Sequence, residues 1–228
     1  MTPAGARDVP PRTLVVACGA LAREMLAVVR LNGWTHVELA CLPADLHNRP
    51  ERIPEAVRGR IREARGSFER VLCLYGDCGT GGMLDRVLAE EGVERIDGAH
   101  CYEFYAGEAE FAALHDAEPG TFYLTDYLVR HFEALVIRGL GLDRHPELLP
   151  DYFGNYRRVV YLAQADDPAL RDAAAAAAGR LGLALALVRA QCVARLLERG
   201  CEQERHLLDW CLEGARHLGE EHFAGREL

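Results

Sequence analysis

The chain has 228 residues, 50% of them hydrophobic, which is enough to bury a sizeable core in one domain or two small lobes. Its net charge of −9 argues against nucleic acid and acidic membrane surfaces as partners, because contacts with phosphate need clustered positive charge. The sequence has no lysine and a single serine, which excludes a Schiff base and a Walker-type lysine and disfavours a serine hydrolase. We therefore expect a small-molecule substrate or a protein partner.

Two further features indicate where the protein works. No apolar run reaches the roughly 20 residues of a membrane-spanning helix. The first residues, MTPAGARDVPPR, have no hydrophobic signal core, so we expect a cytoplasmic protein with a flexible segment over 1–12. Eight cysteines in such a chain favour reduced thiols, as structural residues, metal ligands or nucleophiles, over a disulfide framework.

The first half of the chain alternates apolar strands with amphipathic helices. The predicted strands are TLVVACG (13–19), HVELACLP (36–43), RVLCLYG (70–76) and a short one near VERIDG (93–98). The predicted helices cover 20–31, 54–65 and 81–92. Strands separated by helices indicate βαβ units and a mainly parallel sheet.

The second half contains another α/β segment. A long helix is predicted over 124–141, with Thr125 or Asp126 as its cap. The elements predicted after it are a strand (157–164), an alanine-rich helix (168–180), a strand (181–190) and a C-terminal helix over the last 30 residues.

These elements predict an α/β, Rossmann-like fold with a mainly parallel sheet and flanking helices. No linker rich in Pro, Gly or Ser is long enough to separate independent domains. Residues 13–228 are therefore predicted to form a single α/β domain. Its two lobes, about 13–120 and 121–228, form one compact unit with a pocket between them.

Three cysteines follow predicted strands. Cys18 ends the first strand, Cys78 lies two residues beyond the third, and Cys101 lies just after the fourth. The carboxyl ends of parallel strands share one edge, and ligands bind in the crevice outside it, so these thiols are predicted to converge. Cys201 is not assigned. The other cysteines have the pattern of small buried hydrophobic residues: Cys41, Cys73, Cys192 and Cys211.

Three converging thiolates would be soft ligands, which favour zinc or an iron–sulfur cluster over magnesium, calcium or manganese. Three protein ligands leave one position open, as in catalytic metal sites. His100 is a possible nitrogen ligand, although neighbours on one short turn seldom reach the same ion. The alternative without a metal is a pair of redox thiols, but the sequence has no C-x-x-C motif.

Residues around the thiols are the remaining site candidates. Gly76 and Gly79 are expected to let the backbone approach a bound cofactor or turn sharply. Glu103 and Tyr105, just past Cys101, are expected at the same edge as catalytic residues. The stretch YFGNYRR adds Tyr152, Asn155 and Tyr156, either as a pocket wall with polar groups or as a loop whose rings pack on the core.

Several long motifs occur in one order: CGAL, YGDCGTGG, HCYEFYAG, GTFYLTDYL, GLGLDRHPEL and YFGNYRRVVYLAQ. Together they resemble the domain-of-unknown-function 1638 family over nearly the whole chain. The resemblance places the motif cysteines of the family on Cys18, Cys78 and Cys101. Its members are associated with corrinoid-dependent methyltransferases, so the resemblance implies methyl transfer, or its maintenance, by association.

Two functions are consistent with the sequence. The first is a metal-dependent transferase or lyase that uses the three-cysteine site on a small molecule in methyl-group or sulfur metabolism. The second is a metal carrier, or an accessory protein of a corrinoid methyltransferase system. An enzyme needs an enclosed pocket and a titratable group beside the metal, whereas a carrier needs exposed ligands.

Overall fold

A computed structural model describes residues 10–190 of the chain. The strands are β1 Thr13–Cys18, β2 Val37–Leu42, β3 Arg70–Leu74, β4 Glu94–Arg95, β5 Thr121–Thr125, β6 Arg158–Ala163 and β7 Ala184–Arg189. The helices are α1 Ala22–Leu31, α2 Ile53–Ala64, α3 Met83–Glu91, α4 Glu103–Ala106, α5 Glu108–Ala117, α6 Asp126–Arg130, α7 Leu149–Phe153 and α8 Pro168–Leu181. The predicted C-terminal helix and three cysteines, Cys192, Cys201 and Cys211, lie outside the described residues.

The strands form two parallel sheets, which confirms the α/β, Rossmann-like prediction. The first sheet has the order β2-β1-β3-β4, and the second has the order β5-β6-β7. All six residues of β1 are buried, because this strand has a partner on each side and helices on its faces. A strand buried in this way reads as a continuous apolar run, as TLVVAC does.

The second sheet also forms part of the core of the first lobe, which comprises β1 to α5. Tyr123, Val160 and Leu162 point to one face and join the core cluster built by β1, β3 and their helices. Their sequence neighbours Leu124 and Tyr161 point to the opposite face and pack in a second cluster with α8. Alternation along these strands thus joins the second lobe (β5 to β7) to the first through shared apolar burial.

The helical region predicted over 124–141 is shorter and interrupted: it comprises α6 and a π-helix at Glu133–Arg138. Its first two residues belong instead to β5, which pairs with β6. Thr125 caps the short α6 by accepting a hydrogen bond from the Leu128 amide. A π-helix follows at Glu133–Arg138, where the Leu135 carbonyl accepts a hydrogen bond from the side chain of Asn48 in the first lobe at 2.8 Å.

The sequence did not predict α4 and α5, which cross from the first sheet to the second. Phe104 and Tyr105 of α4 are buried in the shared core, and Phe111 of α5 packs on Tyr123. Over the described part of the chain, no helix is long and apolar enough to cross a membrane.

Asp126 organises the carboxyl ends of the second sheet. Its carboxylate, on a residue only 2% exposed, accepts hydrogen bonds from the Tyr161 hydroxyl at 2.7 Å and from the amides of Gln164 and Ala165. These three donors satisfy the buried carboxylate, as buried polar groups require. Of the two predicted caps, Thr125 is the one that caps α6; Asp126 is the first residue of the helix, and its carboxylate ties the end of β5 to the end of β6.

Glu91 joins α2 to α3 at the surface. Its side chain, only 4% exposed, contacts Arg62 at 2.8 Å, Arg65 at 2.5 Å and Arg58 at 3.2 Å. The hydrogen bond from Arg62, followed by those from the other two guanidinium groups, lowers the pKa of Glu91 to about 2. The folded state therefore favours ionised Glu91 more strongly than the unfolded state does.

This shift predicts a pH-dependent contribution to stability. A depressed folded-state pKa stabilises the fold above the unfolded value of about 4.3, and the effect is lost as pH falls toward 2. Glu91→Gln should therefore lower the melting temperature at pH 7 and lose this effect progressively as the pH falls below about 4. Melting curves from pH 7 to 3 would test this prediction. Glu63→Gln is the control, because among the described residues Glu63 forms a single ion pair, with Arg60, at the exposed surface. An equal difference in melting temperature between the wild-type protein and Glu91→Gln at every pH would contradict this prediction.

Candidate functional site

The three predicted thiols lie at the carboxyl edge of the first sheet. Cys18 ends β1 and is 9% exposed, while Cys78, in the loop after β3, is 5% exposed. Cys101 follows β4 and is half-buried. The Cys78 and Cys101 sulfur atoms are 2.8 Å apart, although 23 positions separate the two residues. The fold therefore brings two of the thiols into direct contact, and the third is near enough to interact with them electrostatically.

A close approach between two backbone segments makes this contact possible. A Cβ atom on Gly76 would lie 2.7 Å from the His100 carbonyl carbon and 3.0 Å from the Cys101 nitrogen. The Asp77 amide donates to the Gly98 carbonyl, and the Cys78 amide donates to the Ala99 carbonyl, both at 2.9 Å. Only glycine permits this spacing at position 76, which gives Gly76 a role in shaping the site.

The loop after β3 is held in an unusual conformation. Cys78 has φ = 49°, the one positive value for a non-glycine residue between residues 10 and 190. Asp77 fixes the loop by accepting hydrogen bonds from Thr80 Oγ1 at 2.6 Å and the Gly82 amide at 2.8 Å. Gly79, with φ = 85°, turns the chain beside Pro50. Left-handed non-glycine residues carry strain that is often found at functional sites.

The thiols differ in how readily they ionise. Burial raises the pKa of Cys18 to about 11. The hydrogen bond between the other two sulfurs lowers the pKa of Cys78 and raises that of Cys101. A negative charge in the pair therefore resides on the Cys78 sulfur, with the Cys101 thiol as its donor.

A buried hydroxyl faces the thiols. Tyr75 is 2% exposed, and its hydroxyl has no hydrogen-bond partner among the described residues. It lies near Cys18, close enough to lower the thiol pKa slightly, although the geometry falls short of a hydrogen bond. Burial and the neighbouring Cys18 and Cys101 raise the pKa of Tyr75, so this hydroxyl stays protonated. It is a donor available to a bound group.

Two histidines pack at the turn that carries Cys101. The His100 ring stacks on Tyr102 at a centroid distance of 4.2 Å, and His47 meets His100 at 5.3 Å. Burial lowers the pKa of His47, and burial together with His47 lowers that of His100 to about 3. Both imidazoles are therefore neutral at pH 7. The Tyr102 ring continues to Tyr123 of the second lobe, 5.3 Å away.

Glu24, in the first turn of α1, is a site residue that the sequence analysis missed. It is half-buried, and its buried Oε2 atom has no hydrogen-bond partner within the described residues. Burial raises its pKa, and the carboxylate of Asp126 in the second lobe adds to the shift. The sequence does place this acidic residue six positions after Cys18, which could have marked it as a site candidate. A glutamate in the first turn of a helix is, however, normally explained by the helix dipole.

Two predicted catalytic residues, Glu103 and Tyr105, lie beside the thiols and have partners within the fold. Glu103 accepts hydrogen bonds from the amides of Ala99 and His100, at 2.7 and 3.3 Å, and so closes the turn that carries Cys101. The buried Tyr105 hydroxyl donates to the Ala20 carbonyl at 2.9 Å. Both interactions position α4 and the thiol loops.

The other predicted catalytic residues precede β6, at the amino edge of the second sheet. Tyr152 is 45% exposed, and Asn155 is also exposed. Tyr156 is half-buried and packs on Phe122 and Phe153. The structure does not bring Tyr152 and Asn155 to the thiols, because residues before a parallel strand lie at the edge opposite to those after it. Tyr156 is near enough to Tyr102 to influence its ionisation.

Of the four cysteines predicted to be structural, the two that lie within the described residues differ in burial. Cys73 is buried in β3, and burial raises its pKa to about 12, which confirms the predicted burial. Cys41 is exposed at the end of β2, an edge strand, so its predicted burial is wrong. Within residues 10–190, no three His, Cys, Asp or Glu side chains are arranged as a ready-made metal site.

Residues 41–198, more than half of the chain, match a family described as "Protein of unknown function (DUF1638)". The chain belongs to this family. The DUF1638 match includes Cys78 and Cys101 and begins after Cys18. No curated protein and no solved structure matches the chain.

The close approach at Gly76 generates a test. Gly76→Ala should push the 98–101 segment away from Cys78 and destabilise the protein by about 1–3 kcal/mol, as overpacking does. Gly59→Ala is the matched control, because a Cβ there meets no atom within 4 Å and alanine favours the α2 helix. Urea unfolding would measure both. A neutral Gly76→Ala would show that the two segments are not held in contact.

Proposed function

We propose that this protein is a cytoplasmic, metal-dependent enzyme that acts on a small molecule in the crevice between its lobes. Cys18, Cys78 and Cys101 hold zinc or an iron–sulfur cluster with one open coordination position. The observation that carries the proposal is the contact between the Cys78 and Cys101 sulfurs beside buried Cys18. Thiolates at one edge of a parallel sheet form a soft donor set for these metals.

The surroundings of the thiols suit a cation. His47 and His100 are neutral, so they do not repel a metal ion, and either supplies a nitrogen donor type that zinc accepts. Binding would replace the contact between the two sulfurs by bonds of about 2.3 Å to one zinc ion, with Cys18 drawn toward it. The protons of the thiols would be released, because metals bind the deprotonated form.

Two features favour an enzyme over a metal carrier. Cys18 and Cys78 are buried, whereas a carrier must present its ligands to a partner. The unpartnered hydroxyl of Tyr75, near Cys18, supplies a hydrogen-bond donor, and the unpartnered Oε2 of Glu24, whose charge acts on Tyr105, supplies a proton-transfer group. The raised pKa of Glu24 makes this carboxyl a better proton donor near neutral pH than an exposed glutamate.

The type of reaction that we propose depends on which metal the thiols bind. A zinc ion with an open position would act as a Lewis acid in alkyl or methyl transfer to a thiol or in hydrolysis. A cluster with one iron free of cysteine would support lyase or sulfur chemistry. A corrinoid protein or a methyltransferase is the protein partner that we propose, from the family resemblance alone; a carrier or accessory role in such a system is the alternative.

Single substitutions test the ligand set. Cys18→Ser, Cys78→Ser and Cys101→Ser should each lower the bound metal sharply while shifting the melting temperature by only a few degrees, as expected for about 1–2 kcal/mol in a domain of this size. Cys73→Ser is the matched control, because Cys73 is a buried cysteine of β3, the strand that precedes the Cys78 loop. It should keep the metal while losing at least as much stability, because it too replaces a buried thiol by a hydroxyl. Full metal content in Cys78→Ser would refute the site.

Anaerobic purification identifies the metal. Protein with an iron–sulfur cluster should be brown and should bleach in air, because an iron without a cysteine ligand is exposed to oxidation. Colourless protein with stoichiometric zinc would assign the zinc chemistry instead. Elemental analysis of the same sample should give roughly one zinc ion or one cluster per chain. Preparations without either metal under reducing conditions would contradict the proposed function.

A further inference from the structure

The contact between Cys78 and Cys101 permits a second chemistry besides metal binding. Their sulfurs are 2.8 Å apart, and a disulfide bond requires about 2.05 Å, so a shift of roughly 0.8 Å would join them. The loops that carry them are fixed to each other by the Asp77 and Cys78 amide hydrogen bonds. The two sulfurs are thus already brought together by the folded backbone.

We infer that Cys78 and Cys101 form a redox-active dithiol that reduces hydroperoxides and closes reversibly into a disulfide. One sulfur of the pair takes one oxygen from the hydroperoxide ROOH, forming a sulfenic acid and releasing the alcohol ROH. The sulfur of the other cysteine, which is in contact with the first, then attacks it, forms the S–S bond and expels water. A thiol reductant restores both thiols by exchange.

The remaining described cysteines do not form such a pair. Cys73 lies within β3 and is 2% exposed, and Cys41 is exposed at the end of β2. Cys18 is near the pair, but the direct sulfur contact joins only Cys78 and Cys101. Short-lived disulfides in reducing compartments are typically catalytic or sensing rather than structural. The oxidised pair would have no thiolate left for a metal, so oxidation and metal binding exclude each other.

The test uses the full chain, reduced and then stripped of metal with a chelator, so that it does not depend on metal binding. Stoichiometric hydrogen peroxide should lower the intact mass by two hydrogen atoms, and dithiothreitol should restore it. Trypsin cleaves after Arg70, Arg86, Arg95 and Arg130, so the product should link peptide 71–86 to peptide 96–130. Since Cys73 shares a peptide with Cys78, Cys73→Ala should form the same link.

Two variants show that both thiols are needed. Cys78→Ser and Cys101→Ser should each form no link between the peptides, and a dimedone probe should trap a sulfenic acid at the remaining cysteine of the pair in at least one of them. Failure of the wild-type chain to form the link, or a link through Cys18 or Cys73, would overturn the inference. Failure to form the disulfide would not affect the metal proposal, and a lack of metal binding would not affect the proposed dithiol chemistry.

Discussion

The candidate site depends on the contact between two backbone segments that leave the first sheet. Residues 76–78 and 98–101 continue the pairing of β3 and β4 beyond the ends of these strands, through the amides of Asp77 and Cys78. The contact requires a residue without a Cβ at position 76. It brings Cys78 and Cys101 together. Asp77 and Glu103 then fix one loop each, by accepting backbone hydrogen bonds from the residues that follow and precede them.

The second lobe completes the site by covering it. One face of its sheet packs on the first lobe through Tyr123 and Leu162, and the Asn48 side chain binds the π-helix across the boundary. These contacts place Cys18 and Cys78 in one buried cluster with residues of the second lobe. As a result, hydroxyl and carboxyl groups such as Tyr75 and Glu24 are removed from water but have free hydrogen-bonding capacity. Groups of this kind are costly for stability, and they are characteristic of binding and catalytic sites.

Metal binding and disulfide formation are two chemistries of the same thiol pair. Both need a close approach of Cys78 and Cys101, but only metal binding needs Cys18. The left-handed backbone of Cys78 is a cost that the fold maintains at this position. This left-handed conformation, held by the hydrogen bonds of Asp77, directs the Cys78 sulfur toward Cys101.

Six of the seven described strands, and the positions of the thiols after three of them, could be predicted from the sequence alone. Apolar runs such as TLVVAC and RVLCL predict buried parallel strands, and chain order alone puts Cys18, Cys78 and Cys101 after three of them. The tertiary structure decided the rest. Residues 121–125 became a strand through pairing with β6, Cys41 was left exposed on an edge strand, and Glu24 was placed opposite Asp126. Local patterns report which face of an element is apolar, whereas these outcomes depend on contacts between residues far apart in the chain.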